Sequence, residues 1–233
     1  MKAVSLVGYK NSGKTSLALR LCSELRQLGY KVAGVKFSHH RLDREDSDTA
    51  KIAQSCYVSA AISEEECSVL WSTPKSLPDL LPILQADVLV VEGGKTLGNL
   101  PRVLLPKESS EVNELGAELA LAAWGHDFAL GLPVLNQVKE LAELVLEKGF
   151  FLPGLDCGHC GREDCSQLAR EIVAGHALPE ECNASSSELE IRVNGHPLAM
   201  NPFVQNIIQS TLQGMLSSLK GYTPGRVEIV WEN

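Results

Sequence analysis

Long apolar runs are missing from this chain of 233 residues. No stretch approaches the roughly 18–20 residues that a membrane span needs. Ala86–Val91 is broken by Asp87 and followed by Glu92. The first residues run straight into Lys2-Ala3-Val4-Ser5-Leu6-Val7-Gly8, without the apolar segment and small-residue cleavage site of a secretory signal. The expected location is the cytoplasm, and no membrane partner is expected. Positive charge is also scarce. The chain has 21 Lys and Arg against 29 Asp and Glu, a net charge of −8, and no dense basic run. An acidic chain is not drawn to nucleic acid or anionic lipid by its overall field, so neither is an expected partner. Internal repeats and long low-complexity tracts are absent. In a reducing compartment structural disulfides are not expected, so the seven cysteines need another reading.

What is present is an ordinary globular composition, 44% hydrophobic and 21% charged, which allows a buried core. Residues 3–7 form a short apolar run ending at Gly8, the pattern of a buried strand entering a turn. A helix is expected from about Lys14, with Leu17, Leu21, Leu25 and Leu28 facing a sheet and Gly29 as its stop. Strands are expected at Lys31–Lys36, Tyr57–Ile62, Cys67–Trp71, Asp87–Val91, Arg102–Leu105 and Leu119–Ala122. Helices are expected from about Asp48, at Leu77–Leu84 and at Asn136–Lys148, and 37–48 reads as a polar loop. Strands alternating with helices imply a mostly parallel sheet covered on both faces. Composition changes after Lys148. Phe150–Gly154 reads as a hinge, Cys157–Cys182 as a cysteine block, and Asn183–Glu188 as a linker. The last part reads as strand (Leu189–Val193), turn (Asn194-Gly195), helix (about Pro202–Leu219, capped by Asn201) and strand (Arg226–Trp231). The expected class is α/β: a P-loop nucleoside-triphosphatase fold over 1–150, a four-cysteine domain over 151–187, and a strand–helix–strand unit over 188–233.

Gly8-Tyr9-Lys10-Asn11-Ser12-Gly13-Lys14-Thr15 fits G-x-x-x-x-G-K-[ST] in full. Such a loop wraps phosphate with its own N–H groups, and the helix that follows adds its positive end. Gly8 to Ser16 are therefore the nucleotide-binding candidates. Lys14 is the cation for the β- and γ-phosphates, and the Thr15 hydroxyl is a Mg2+ ligand. Magnesium also needs an acidic partner. Asp87 opens the Asp87–Val91 strand and Glu92 closes it. Ligands in open α/β sheets sit at the carboxyl ends of strands, which favours Glu92. Asp46, Asp48 and Thr49 are candidates for a loop that senses γ-phosphate, with Asp48 also a catalytic candidate beside Lys14 and Glu92. Alternatively, Ser47 or Asp48 simply caps a helix. His39 and His40 follow a strand near the expected site and are candidates to meet phosphate, metal or substrate, with a solvated loop pair as the alternative. The guanine-reading Asn-Lys-x-Asp of many GTPases is absent, and Asn136-Gln137-Val138-Lys139 is only a distant echo, so GTP and ATP both stay open. Trp71, Trp124 and Trp231 read as packing residues.

Cys157, Cys160, Cys165 and Cys182 follow the spacing C-x2-C-x4-C-x16-C. Four thiolates so close in a cytosolic chain argue for a metal centre. Zinc and an iron–sulfur cluster compete. One C-x2-C pair with two isolated cysteines leans towards iron. His159 reads as exposed or as a neighbour of the ligands. Cys22, Cys56 and Cys67 read as small buried hydrophobes.

Two resemblances add to this. Cys-Gly-x-Cys-Gly-x-x-x-Cys, with Ala169, Glu171, Ile172 and Gly175 before the last cysteine, resembles the small 4Fe–4S domain of RnfB-type electron-transport subunits and corrinoid iron–sulfur proteins. It implies one 4Fe–4S cluster on the four cysteines. A Pro-Gly often seen after the fourth cysteine is replaced by Asn183-Ala184. The first 148 residues resemble the MobB family, the GTP-binding adaptors of molybdopterin-guanine dinucleotide biosynthesis. The residues that carry this are the phosphate loop, Lys36-x-x-His39-His40, Asp48-Thr49 and Asp87-x-x-x-Val91-Glu92-Gly93-x-Lys95. Gln54-Ser55-Cys56 replaces the family's Ala-Gly-Ala, and Gly94-Lys95 its Phe-Lys. The resemblance implies GTP binding with weak hydrolysis, a homodimer, and molybdopterin guanylyltransferase or a molybdenum or tungsten enzyme as partner. Two other functions stay open: a P-loop ATPase that drives electron transfer or metallocluster delivery, and a non-enzymatic binding module.

Overall fold

Short runs rich in valine and leucine pair side by side in the computed structural model, which describes residues 1–38, 47–125, 131–184, 189, 191–193, 196–198, 200–223, 225 and 227–229. In chain order the elements are β1 (Lys2–Val7), α1 (Lys14–Gln27), β2 (Val32–Lys36), α2 (Asp48–Ser55), β3 (Val58–Ile62), β4 (Cys67–Trp71), α3 (Leu77–Leu84), β5 (Val88–Glu92), β6 (Arg102–Leu104) and α4 (Glu111–Glu114). Then come β7 (Ala120–Trp124), β8 (Val134–Leu135), α5 (Val138–Lys148), α6 (Cys165–Val173), β9 (Arg192–Val193), β10 (His196–Pro197) and α7 (Pro202–Ser217).

One sheet has the order β2-β5-β1-β6-β7-β8, with every pairing parallel. β1 and β5 lie inside it, and their side chains are buried almost throughout. That is why both read as unbroken apolar runs rather than alternating ones. Val4, Leu6, Val88 and Val90 pack against Leu17, Leu21 and Leu25 of α1 and Leu141 and Val145 of α5. Ala3, Leu89 and Val91 point the other way, into a core with Leu77 and Leu100. The sheet is thus covered on both faces, and its strand ends are left to form a site.

The expected P-loop architecture and mostly parallel sheet are observed, with local differences. Leu28 lies beyond the end of α1 and is exposed, so it does not face the sheet. β3 and β4 pair antiparallel as a separate ribbon, in which Cys67 is exposed; Cys56, just before it, is exposed too. Neither is the buried hydrophobe expected, while Cys22 is half-buried against the α1 core. A two-stranded ribbon standing apart from the main sheet offers little packed surface in which to bury Cys56 or Cys67. The edge strand β8 went unread because two residues carry no periodicity.

Phe150–Gly154 is anchored rather than hinged: Phe150 and Leu152 are buried, and the Leu152 N–H donates to Asn99 O at 2.9 Å. Phe150 and Leu152 share a small core with Leu119, Leu168, Ala169, Ala177 and Cys182. This core is what joins the cysteine block to the sheet domain. Farther on, β9 and β10 form a short antiparallel ribbon and Asn201 caps α7 by accepting from Val204 N at 2.9 Å. The expected turn at Asn194-Gly195, most of the linker, and Arg226, Val230 and Trp231 of the last strand lie outside the described residues. Val227–Ile229 carry no regular secondary structure. Among the described residues no helix is long and apolar enough to cross a membrane.

Candidate functional site

β1 ends at Val7, and the chain turns through the phosphate loop into α1. The loop has no room for another residue at its start. A Cβ on Gly8 would stand 2.5 Å from Ser12 Oγ and 2.6 Å from Leu105 O. Asn11 (φ 61°) and Gly13 (φ 88°) take left-handed backbone, so successive N–H groups turn towards one side. Ser12 N–H donates to Tyr9 O at 3.3 Å and Lys14 Nζ to the same oxygen at 2.6 Å. Lys107 Nζ reaches Lys10 O at 2.6 Å from the chain after β6. The Tyr9 hydroxyl donates to Glu114. Burial lowers the Lys14 pKa, with Lys36 and Lys107 adding to the fall and Glu92 opposing it. A partly desolvated ammonium among other cations is poised for an anion.

Parallel pairing places the end of β5 beside this loop. Glu92 Oε1 accepts from Thr15 Oγ1 at 2.8 Å. Lys36 pairs in register with Glu92 across β2 and β5. Its Nζ lies 2.9 Å from Glu92 Oε1 and 3.5 Å from Thr15 Oγ1. A cation therefore already stands against the two oxygens expected to hold magnesium, and the donor set of one hydroxyl and one carboxylate suits that ion. Asp87 lies at the opposite end of the strand, where Oδ2 accepts from Lys31 N at 2.8 Å. The role of Lys36 was missed from the sequence, although its position at a strand end, like that of Glu92, is a usable signal.

The sensor candidates Asp48 and Thr49 lie on α2. Ser47 caps α2, accepting from Ala50 N at 3.0 Å, and Asp48 is exposed and pairs with Lys51 at 3.0 Å. Thr49 follows on the same helix, its hydroxyl 3.0 Å from Ser47 Oγ. His39, His40 and Asp46 lie outside the described residues. Trp124 packs against the α1 core, with Arg20 over its ring at 5.8 Å.

All four expected ligands, Cys157, Cys160, Cys165 and Cys182, line one small cavity with Pro153 and Leu168. Among the described residues no three His, Cys, Asp or Glu side chains stand close enough together for a single metal ion. The thiols instead surround a space. Burial raises the Cys165 pKa. Asp164 caps α6 by accepting from Gln167 N at 2.7 Å, which aims Cys165, the first helical residue. Arg162, unread in the sequence, clasps three segments. It donates to Cys160 O at 2.8 Å, Glu171 Oε2 at 2.9 Å and Glu181 Oε2 at 2.8 Å. Glu181 is held below the usual carboxylate range by the Leu178 N–H and by Arg162. His159 is exposed, with Nδ1 3.3 Å from Cys157 O.

Comparison with known proteins divides the chain at the same place. The family model for molybdopterin guanine dinucleotide synthesis protein B, MobB, matches residues 3–123. A second model, described as "Putative Fe-S cluster", matches residues 152–184. A relative from Methanocaldococcus jannaschii, described as "Putative molybdopterin-guanine dinucleotide biosynthesis adapter protein", is 24% identical over 230 residues, spanning 95% of this chain and 93% of its own. The molybdopterin-guanine dinucleotide biosynthesis adapter protein of Haemophilus influenzae is 26% identical over 155 residues, spanning 61% of this chain and 86% of its own. The crystal structure of Bacillus subtilis MobB superposes with a TM-score of 0.53 at 22% identity, covering 64% of this chain and 99% of that one, a likeness of fold.

Proposed function

The chain belongs to the MobB family, and from that premise we propose that it is a GTP-binding adapter of molybdenum or tungsten cofactor maturation, with slow GTP hydrolysis and a 4Fe–4S cluster. Its partner is the enzyme that attaches GMP to molybdopterin, or a molybdenum or tungsten enzyme downstream. It works as a homodimer in the cytoplasm. Residues 1–150 are the nucleotide domain, 151–187 the cluster domain and 188–233 a terminal unit.

The observation that carries this reading is the meeting of Thr15 Oγ1 and Glu92 Oε1 at 2.8 Å beside the phosphate loop. Both residues lie within the stretch that matches the family. The loop amides and Lys14 hold the β- and γ-phosphates by direct hydrogen bonds. Thr15 and Glu92 would hold Mg2+, which when bound would offset phosphate charge. Glu92 orients the attacking water in preference to Asp48, which is exposed on α2 and paired with Lys51. Among the described residues no arginine hydrogen-bonds to the phosphate loop, and slow turnover, as in small GTPases without an activator, is the expected rate. The four thiols ring a cavity, one sulfur available to each iron of a cluster.

The test is anaerobic purification followed by calorimetric titration with GTP and ATP in Mg2+, with a visible spectrum of the same sample. Selective GTP binding by a brown protein is the expected result. Preference for ATP would replace the reading with an ATPase of electron transfer or cluster delivery. A colourless, zinc-containing protein would make the cysteine domain a structural appendage.

A further inference from the structure

One stretch of chain touches both candidate sites. Residues 93–99 leave β5 directly after Glu92. At the near end, Gly93 N–H donates to Leu6 O at 3.0 Å, and its carbonyl accepts from buried Ser5 Oγ at 2.6 Å. Lys95 Nζ lies 5.3 Å from the centre of the Tyr9 ring, in the phosphate loop. In the middle, Leu97 N–H closes a turn on Gly94 O at 2.9 Å. The buried Arg102 guanidinium donates to Lys95 O at 2.7 Å and Leu97 O at 2.8 Å, and its other end to Leu115 O at 2.8 Å. At the far end, Gly98 lies against the cysteine domain: a Cβ there would stand 2.8 Å from Ser166 Cβ. Asn99 is tied to Leu152 twice, accepting from its N–H at 2.9 Å and donating from Nδ2 to its carbonyl at 2.7 Å. Ser166 directly follows Cys165 in the first turn of α6.

We propose a further function for this chain: nucleotide binding at Gly8–Thr15 responds to whether the four-cysteine domain holds its metal centre, and residues 93–99 carry the response. This rests on the reading of both sites given above. Cys165 begins α6, so ligation through its sulfur sets where the first turn, including Ser166, stands. The Gly98 backbone is packed against that side chain without slack, and packed interiors transmit displacement. Arg102 makes the middle of the loop move as one body. Its near end is the backbone that follows Glu92. The dependence is reciprocal, since a coupling free energy acts equally on both ligands.

The experiment titrates a fluorescent GTP analogue with Mg2+, under anaerobic conditions, into cluster-loaded protein and into the same protein stripped by a chelator. The expected result is a Kd differing by about 5-fold or more between the two forms, within the usual range of allosteric coupling. Ser166→Gly removes the side chain facing Gly98 and brings the two Kd values together, with iron per chain unchanged. If Ser166→Gly loses iron, Asn99→Ala is the second arm, because it removes the Nδ2 bond to Leu152 and loosens the other tie without touching α6. Equal Kd values in the unmodified protein overturn this inference alone, and a difference that survives both substitutions overturns the role of the loop. Failure of both forms to bind GTP, or of the purified protein to hold iron, overturns the reading of that site and the inference with it.

Discussion

The phosphate loop and the cysteine domain hold their functional groups by different means. Thr15, Lys36 and Glu92 stand on strand ends and a helix start, fixed by a parallel ladder whose two central strands are buried. The cysteines are spread over loops and one short helix, around a core of a few side chains, tied by Arg162 and by Asp164. That domain is too small to bury much apolar surface by itself, so its metal centre is expected to supply much of its stability. A site built from backbone ladders loses function when a side chain is changed but keeps its fold; one built round a ligand loses both.

The sharpest break of that contrast is Cys182→Ala. It should abolish iron binding and open 152–184 to protease while the parallel sheet survives, as read by iron assay and limited proteolysis. Full iron content in the variant would show that other donors hold the metal. Next are paired cavities. Leu21 and Leu168 are both fully buried, one under the sheet and one in the cysteine domain. Truncation of either to alanine should cost about 2–5 kcal/mol. In calorimetry Leu21→Ala should lower the main transition, and Leu168→Ala only that of the cysteine domain. A single transition moved equally by both would erase the distinction between the regions.

Lys14→Ala should weaken GTP binding by about 2–3 kcal/mol, the range of a charge-assisted contact, with iron content and melting temperature unchanged. An unaltered Kd would remove the phosphate loop from the proposal. Arg162→Gln loses both carboxylate partners. Substitutions around metal ligands weaken metal binding by about 10-fold or more, so this variant should release iron to a chelator faster, with GTP affinity unchanged for as long as the metal centre is held. The smallest effect is expected from Asp48→Asn. With its side chain exposed and, among the described residues, paired to Lys51, it should leave GTP turnover and melting temperature where they were. A large fall in turnover would return Asp48 to the catalytic group.

The phosphate loop was readable because its chemistry is local: glycine where the chain turns, then lysine and a hydroxyl as the helix starts. The buried strands were readable from their apolar runs, and the cysteine block from its spacing. Lys36 was quoted in a pattern but given no task, because its partners lie across two strands, and strand order is not written in any one segment. Arg162 and Arg102 look like ordinary surface residues until the carbonyls they bind are brought round them. The exposure of Cys56 and Cys67 reversed the expectation of burial because β3 and β4 stay off the main sheet.

By itself the sequence determined that a loop of phosphate-binding pattern lies between a buried strand and a helix, and that four cysteines stand in a closely spaced block farther on. Both follow from short-range geometry, within reach of a few consecutive residues. Only the tertiary structure decided that β5 lies beside β1, so that Glu92 and Lys36 meet Thr15, and that residues 93–99 run from that meeting point to Ser166. Those contacts depend on parallel pairing and close packing between distant segments, which the amino-acid order constrains only through the whole fold.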